Sequence, residues 1–479
     1  MAAPLNSFTT TLPESMTDTR SRYTTEAHRL FLIAWPIIIA QIAQTGMGFV
    51  DTLMAGRYGA TDLAAIAIGA SFWLPVFLAA SGVLMATTPL VAHLVGSNQL
   101  NQSRDVFIQG LVISLGLSAL SICFLYNADY VLEKMSVEAA LAIKIQAYLK
   151  AIGWGFPAIL IYQVIRSYSE GFGKTRPIMK ISVFALAANI PLNYIFIYGK
   201  LGLPEMGGVG CGWATAIVMW IMLLCGLGYL RLNKTFASYH LFSKSKRPDT
   251  SDLKNFLKLG LPIGLALLVE VSMFSIIALL LADLGETIVG AHQITISFTG
   301  LVFMIPLSIS MALTIRVGHL LGSKDLTGAR SAALTGVYMT LICATISSSA
   351  MFMLAHQIAG LYTDELQIIS LAVTLISIAA LFQFSDAIQV ACAGILRGYK
   401  DTQGPLVIVL IAYWIIGLPL GLMLGKTDWI VTAMGAKGFW VALCIALSIA
   451  ALLLGWRLLW RIRTYQANSG TDAAKNSLN

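Results

Sequence analysis

The sequence reads LFLIAWPIIIAQIA at residues 30–43 and IVMWIMLLCGLGYL at residues 217–230. Neither stretch alternates apolar with polar residues, as a strand of a membrane barrel would. Both belong to apolar runs of about 20 residues, the length that a helix needs to cross the hydrocarbon core. Only 11% of the 479 residues are charged, against about 25% in soluble domains. We therefore predict an all-α integral membrane protein, and the same figures exclude disorder, a coiled coil and nucleic-acid binding.

Apolar runs of the same kind on both sides of these stretches predict twelve transmembrane helices. Their expected bounds are 28–54, 63–92, 106–126, 142–167, 177–199, 209–231, 253–282, 287–318, 330–354, 366–397, 405–424 and 437–463. These bounds predict an N-terminal tail (1–27), a six-helix lobe (28–231), a polar linker (232–252), a second six-helix lobe (253–463) and a C-terminal tail (464–479).

The net charge of +8 follows the predicted topology. When lysines and arginines are assigned to alternate loops, 24 of the 31 fall on the side that holds both chain ends. Cytoplasmic loops of membrane proteins carry an excess of these residues. The sequence therefore predicts that both termini and the linker are cytoplasmic. This topology explains the excess of basic residues, which then does not indicate an anionic binding partner.

An internal repeat divides the chain into two halves. The segment VAHLVGSNQLNQSRD from Val91 returns as VGHLLGSKDLTGARS from Val317, with seven of fifteen residues identical. The offset of 226 residues also carries Pro36 onto Pro262, and it becomes 228 later in each half. Two parallel six-helix repeats around a central cavity are a common plan of secondary transporters. Channels and membrane enzymes also arise by duplication, so the repeat favours a transporter without excluding them.

Three carboxylates fall inside predicted spans, namely Asp51, Glu270 and Asp386. An ionised side chain at the bilayer centre costs about 2.5–3.5 kcal/mol even on the more lenient insertion scale. We expect no lysine or arginine deep in any span to pair with them. Protonation, a bound metal cation or a cationic substrate would then offset this cost, and each of these predicts a functional role.

Asn189 and Asn193 lie four residues apart on the fifth span and so face the same side of that helix. Pro191 between them has no N–H, which frees the carbonyl of Ala187 from its helical hydrogen bond. Together with Asp51 these oxygens form a ligand set that a hard cation such as Na⁺ accepts. The alternative is a polar cluster that only holds the helices together.

Further polar residues are candidates for lining the cavity. Asp364 and Glu365 lie in the loop between the ninth and tenth spans, and Gln293 lies in the eighth span. The loop acids would attract cations or simply be solvated, and Gln293 would line the cavity or bridge two helices. The equivalent residues His93 and His319 predict packing at the interface rather than a ligand site.

The residues around these carboxylates carry a family resemblance. The segments concerned are VDTLMAG with Asp51, EGFGKTRP from Glu170, NIPLNYIFIYGKLGLPEMGGVGCGWATA from Asn189, LLVEVSMF with Glu270 and QFSDAIQV with Asp386. Over all twelve spans the chain resembles the multidrug and toxic compound extrusion (MATE) family, in its bacterial NorM branch. The resemblance implies an inner-membrane antiporter that exports cationic, amphipathic compounds such as fluoroquinolones and dyes in exchange for inward Na⁺ or H⁺.

The family's acids carry over onto Asp51, Glu270 and Asp386, and its asparagines onto Asn189 and Asn193. Na⁺ would bind at Glu270, Asp386 or Asp51, but the resemblance does not choose between Na⁺ and H⁺. We expect a monomer in membrane lipid, with drug-like substrates, no nucleic-acid partner and no cofactor besides the coupling ion.

Two other functions remain as alternatives. A flippase for lipid-linked sugars, from the same broad superfamily of folds, would need a cationic cavity for pyrophosphate, and the expected absence of deep arginines and lysines argues against it. A membrane enzyme would need a catalytic constellation near one face, but the spans contain no HExxH, GxSxG or paired-histidine pattern. We therefore expect a transporter and not an enzyme.

Overall fold

The computed structural model describes residues 16–134, 138–237, 249–429 and 431–476. Within them the first half contains the helices α1 (Met16–Tyr58), α2 (Ala60–Leu84), α3 (Thr87–Gly96), α4 (Ser103–Tyr126), α5 (Asp129–Lys134), α6 (Ala139–Gly171), α7 (Arg176–Ile197), α8 (Gly208–Leu232) and α9 (Lys234–Ala237). The second half contains α10 (Thr250–Ala282), α11 (Glu286–Gly322), α12 (Leu326–Gly360), α13 (Leu366–Gly398), α14 (Gln403–Leu410), α15 (Leu418–Lys426) and α16 (Ala436–Asn476).

In the described part of the chain, twelve helical segments are long and apolar enough to cross a membrane. This confirms the predicted all-α fold of two six-helix halves. In the first half these segments are α1, the pair α2 and α3, α4, α6, α7 and α8. In the second half they are α10, α11, α12, α13, the pair α14 and α15, and α16.

The helices extend beyond several predicted bounds. α1 begins at Met16, inside the predicted N-terminal tail, and α16 continues to Asn476, through most of the predicted C-terminal tail. Most of the predicted linker, residues 238–248, lies outside the described residues, as do residues 1–15 and 477–479. Hydropathy locates the apolar centre of each helix, but a polar helical extension has no such signal.

Two spans are irregular in ways that hydropathy did not predict. The second span breaks at Met85 and Ala86, between α2 and α3. The eleventh contains a π-helical segment, Ile411–Gly417, between α14 and α15. Pro419 follows this segment and has no N–H to bond the carbonyl four residues earlier, which accounts for the loss of regular α-helical bonding there.

Each half completes its core with a helix from the other half. Leu30 and Ala34 of α1 are fully or almost fully buried in an apolar cluster that otherwise belongs to α11, α12, α13 and α16. Reciprocally, Phe256 and Ile263 of α10 lie in the large cluster of the first half. The two lobes are therefore interlocked through the first helix of each repeat.

A close crossing of α2 and α10 holds the lobes together. A Cβ atom added to Gly82 of α2 would lie 2.6 Å from the Cα of Gly264 on α10. A Cβ atom on Gly264 would collide with the carbonyl oxygen of Ala79, and one on Gly260 with that of Val83. Only glycine permits this approach, as at other small-residue interfaces between membrane helices.

Candidate functional site

A cavity of about 660 Å³ lies between the two lobes. Its walls are mostly apolar and include Trp73, Phe77, Met219, Phe274 and Phe303. Its polar lining comprises Gln41, Gln44, Thr45, Asp51, Gln163, Thr215, Glu270, Gln389, Arg397 and Thr402. Large apolar walls with a few charged groups are typical of sites for amphipathic small molecules.

In the first lobe, Asp51 lies at the centre of a buried hydrogen-bond network. Its Oδ1 atom accepts from Asn193 Nδ2 at 2.6 Å and from Asn189 Nδ2 at 3.0 Å, and its Oδ2 atom accepts from Thr215 Oγ1 at 2.9 Å. Asp51 lies on α1, Thr215 lies on α8, and the two asparagines share one face of α7. Three helices therefore build this site. The structure thus brings Asp51, Asn189 and Asn193 together.

One oxygen of this network has no partner in the described chain. Asn193 Nδ2 also donates to Asn189 Oδ1 at 3.1 Å, whereas Asn193 Oδ1 is buried and accepts no hydrogen bond from any described residue. Buried polar atoms are nearly always bonded, so an orphaned acceptor beside a carboxylate requires an explanation. A cation or a protonated ligand at this position would provide the missing contact.

In the second lobe, Glu270 of α10 lines the cavity. Asp386 of α13 is buried behind the cavity wall, one turn from the lining residues Gln389 and Val390. No described residue donates a hydrogen bond to Glu270 or Asp386. Unlike Asp51, these two carboxyl groups are left without side-chain hydrogen bonds inside an apolar lobe.

The expectation that no arginine deep in a span would neutralise these acids is wrong for Glu270, which interacts electrostatically with Arg397. Arg166 of α6 is buried and contacts Glu170 at 2.8 Å, while Arg397 near the end of α13 lines the cavity itself. When lysines and arginines were assigned to alternate loops, both residues were counted on the side of the chain ends, because each precedes a loop on that side. Long side chains can point back along a helix into the protein, which such a count does not detect.

Gln293, Asp364 and Glu365 do not line the cavity. Gln293 is exposed between the buried His292 and Ile294, so it faces away from the lobe, and its Nε2 contacts Ser297 Oγ at 3.4 Å. Asp364 and Glu365 are exposed in the loop before α13. α11 contributes to the cavity through Phe303, Met304 and Leu307 instead. The prediction that these three polar residues line the cavity is corrected accordingly.

On the side of the chain ends, a symmetric pair of contacts joins the two lobes. His93 Nε2 donates to the carbonyl of Gly398 at 2.8 Å, and His319 Nε2 donates to that of Gly171 at 2.7 Å. The two histidines thus hold helix ends of opposite lobes, as their predicted interfacial role requires. Glu26 of α1 adds an ion pair to Arg316 of α11 at 2.6 Å.

Thr215 and Arg397 are the main cavity residues that the sequence did not indicate. Thr215 lies near the end of the segment from Asn189 that carries the family resemblance, but a single threonine in an apolar span is common and was not singled out. A tertiary contact with Asp51 gives it significance. Gln41 and Gln44 are likewise held by Arg166, at 2.8 and 3.1 Å.

A family model described as MatE matches residues 36–195 and again residues 262–423. The chain belongs to the MatE family. The two matches begin 226 residues apart and end 228 residues apart, which are the offsets of the repeat in the sequence. The MatE unit therefore occurs once in each lobe, beginning at Pro36 and at Pro262.

Curated relatives of this MatE chain extend over nearly its whole length. The multidrug resistance protein NorM of Aliivibrio fischeri is 46% identical over 439 residues, which cover 92% of this chain and 95% of that protein. NorM of Vibrio cholerae is also 46% identical, over 440 residues. The multidrug resistance protein MdtK of Proteus mirabilis is 44% identical over 440 residues, covering 92% of this chain and 96% of that protein.

Solved structures share the fold of this MatE chain. A eukaryotic MATE transporter is 19% identical with a TM-score of 0.84, covering 93% of this chain and 99% of that chain. A multidrug resistance MATE family transporter of the MOP superfamily, solved in an outward-facing conformation, is 19% identical with a TM-score of 0.85, covering 95% and 100% of the two chains. At this identity the likeness establishes the twelve-helix fold of two six-helix halves.

Proposed function

We propose that this protein is a multidrug efflux antiporter that exports cationic, amphipathic compounds in exchange for inward Na⁺ or H⁺. One observation carries the proposal, namely that Asp51 of one lobe and Glu270 of the other line a single apolar cavity. The names of the curated relatives, multidrug resistance proteins NorM and MdtK, support the same substrate class.

The proposed location is the bacterial inner membrane, with both termini in the cytoplasm. The relatives are bacterial, and the excess of lysine and arginine on the side of the chain ends supports this orientation. The lobe contacts at His93 and His319 would then seal the cytoplasmic side, so that the cavity is available from outside.

The proposed mechanism is competition between ion and drug. An ion bound at Glu270 and Asp386, or at Asp51 with its asparagines, neutralises carboxylates that otherwise attract a cationic drug. Coupling of this kind is reciprocal. If the bound drug lowers the affinity for the ion, the bound ion lowers the affinity for the drug by the same factor. Net inward movement of one charge gains about 2.3 kcal/mol per 100 mV of membrane potential.

The flippase alternative is less well supported. Arg397 does place one cation in the cavity, contrary to the sequence expectation, but Asp51 and Glu270 line the same cavity. These carboxylates would repel the pyrophosphate of a lipid-linked sugar. An enzyme is also disfavoured, because family membership and the paired lobes both point to transport.

Dye uptake into everted membrane vesicles tests the proposal. A Na⁺ gradient at equal pH and a pH gradient without Na⁺ are imposed separately, and the gradient that drives uptake identifies the coupling ion. Glu270→Gln and Asp386→Asn should each abolish uptake without reducing the amount of inserted protein, because a neutral amide cannot exchange a cation. The matched control Asp364→Asn alters an exposed loop acid and should transport normally. Uptake driven by neither gradient would refute antiport.

A further inference from the structure

α6 and α13 end in the same way in the two lobes, and this equivalence carries the inference. Each helix stops at a glycine, Gly171 or Gly398, whose carbonyl accepts from a histidine of the other lobe. The same pair of backbone hydrogen bonds ends both helices. At the end of α6, Gly173 N donates to Glu170 O (2.7 Å) and Lys174 N donates to Ser169 O (3.0 Å). At the end of α13, Lys400 N donates to Arg397 O (2.9 Å) and Asp401 N donates to Leu396 O (2.9 Å). Glu170 and Arg397 therefore occupy equivalent positions and carry opposite charges.

In the first lobe the charge at this position is neutralised within the protein. Arg166 precedes Glu170 by one turn, and the two side chains form an ion pair at 2.8 Å with only 4% and 1% of their surfaces exposed. The remaining guanidinium contacts go to Gln41 and Gln44. Every charge in this group is matched.

In the second lobe the equivalent group is incomplete. The position one turn before Arg397 is Ala393, which offers no charge. Arg397 donates one hydrogen bond, to Ser310 Oγ at 2.9 Å, while its Nε atom is buried without a partner among the described residues. No carboxylate in the described chain lies within 4 Å of it, and the charge that acts on it from farther away is that of Glu270 in the same cavity. A guanidinium has five N–H donors in a planar fork, so most of its binding capacity remains unused.

Arg397 faces the same cavity as Glu270 and Asp51. A ligand with only a positive charge can satisfy the carboxylates but leaves the guanidinium unpaired. A cation at Glu270 takes the carboxylate whose charge acts on Arg397, whereas a ligand that also has a carboxylate supplies Arg397 with a new partner. Arginine binds carboxylates through two parallel hydrogen bonds, which adds orientation as well as affinity.

We propose that Arg397 forms a subsite for the anionic group of a substrate, so that among cationic compounds the cavity favours those that also carry a carboxylate. This inference rests on the proposed efflux function and names a substrate class within it. Arg397 would fix the carboxylate near the sealed end of the cavity, while Glu270 or Asp51 contacts the ammonium.

A matched pair of ligands tests the subsite. Norfloxacin carries a carboxylate and a piperazinium, and its ethyl ester keeps only the piperazinium. Uptake of both into everted vesicles is compared for the wild type, Arg397→Gln and Arg397→Lys. In Arg397→Gln the KM for norfloxacin should rise about tenfold or more, as expected for loss of a charge-assisted contact, while that of the ester should stay the same or fall, because Glu270 loses a nearby positive charge. Arg397→Lys should recover part of the norfloxacin affinity because the charge remains.

The comparison of the two ligands separates recognition from folding and from coupling. If Arg397→Gln reduced the transport of norfloxacin and of its ester equally, the subsite would be overturned and Arg397 would have a structural or coupling role. Unchanged transport of both would also overturn it. If the wild type exports neither compound under any gradient, the efflux proposal itself fails. Binding of the two ligands to purified wild-type protein provides a check without variants, since equal affinities would contradict the inference.

Discussion

Thr215 illustrates how a single hydroxyl can matter in this cavity. It donates to Asp51 Oδ2 at 2.9 Å, opposite the two asparagines that bond Oδ1. The carboxylate is thereby held in one orientation from both sides. Hydrogen bonds to charged groups contribute about 1.5–3 kcal/mol, roughly twice the value for neutral pairs.

We predict that Thr215→Val raises the ion concentration for half-maximal efflux about tenfold, because 1.4 kcal/mol corresponds to a factor of ten. Valine preserves the shape of threonine and removes only the hydroxyl. The control is Thr345→Val, whose exposed hydroxyl bonds only its own helix at Leu341 O. Efflux measured against ion concentration distinguishes the two variants, and identical half-saturation in Thr215→Val and the wild type would contradict the assigned role.

At the residue scale, the sequence identified the acids because a charge in an apolar span is costly wherever it points. It also identified Asn189 and Asn193, since a spacing of four places both on one face. Thr215 and Arg397 were not identified from the sequence, because their significance depends on contacts between helices that are distant in sequence. The side-chain direction of Arg397 in particular cannot be inferred from its position before a loop.

At the scale of helices, the crossing of α2 and α10 sets how closely the lobes approach. Gly264→Ala would place a methyl group against the carbonyl of Ala79 and the side chain of Val83. We predict a loss of about 1–3 kcal/mol in stability, as for other overpacked sites. The thermal unfolding midpoint in detergent measures this loss.

Gly116→Ala of α4 is the matched control, because an added methyl group there meets open space. Its unfolding midpoint should equal or slightly exceed that of the wild type, because alanine favours a helix more than glycine does. An unaltered midpoint in Gly264→Ala would show that the crossing can widen without cost.

Hydropathy predicted the number and centre of the helices well, because a helix in lipid must be apolar over about 20 residues. It could not predict the break at Met85 and Ala86 or the π segment Ile411–Gly417, since both occur inside apolar runs. The polar extensions of α1 and α16 were also missed, because they carry no hydropathy signal. Pro419 is a local cause of the π segment, but hydropathy does not register a missing N–H.

In the complete protein, the first halves of α1 and α10 pack into the opposite lobes, which makes the two halves interdependent. Leu30 and Ala34 fill the core of the second lobe, and Phe256 and Ile263 fill that of the first. A half expressed alone would leave α1 or α10 without much of its packing surface. The duplicated units are therefore repeats in sequence but not independent folding domains.

We predict that residues 1–240 and 241–479 are each unstable when expressed alone and form a stable complex when expressed together. Copurification through a tag on one half, followed by gel filtration in detergent, measures the association. The intact chain is the reference for elution volume. Recovery of residues 1–240 alone as a stable, monodisperse protein would refute the interdependence.

The opposite charges at Glu170 and Arg397 also bear on how the protein arose. A duplicated gene begins with identical halves, so these two positions once held the same residue and the ancestral assembly presented it twice. A symmetric ancestor could not alter one copy without altering the other. Fusion removed that constraint, so that one copy could hold an internal ion pair while the other presents a guanidinium to the cavity. The lobes could then diverge in chemistry while the histidine and glycine contacts that join them stayed alike.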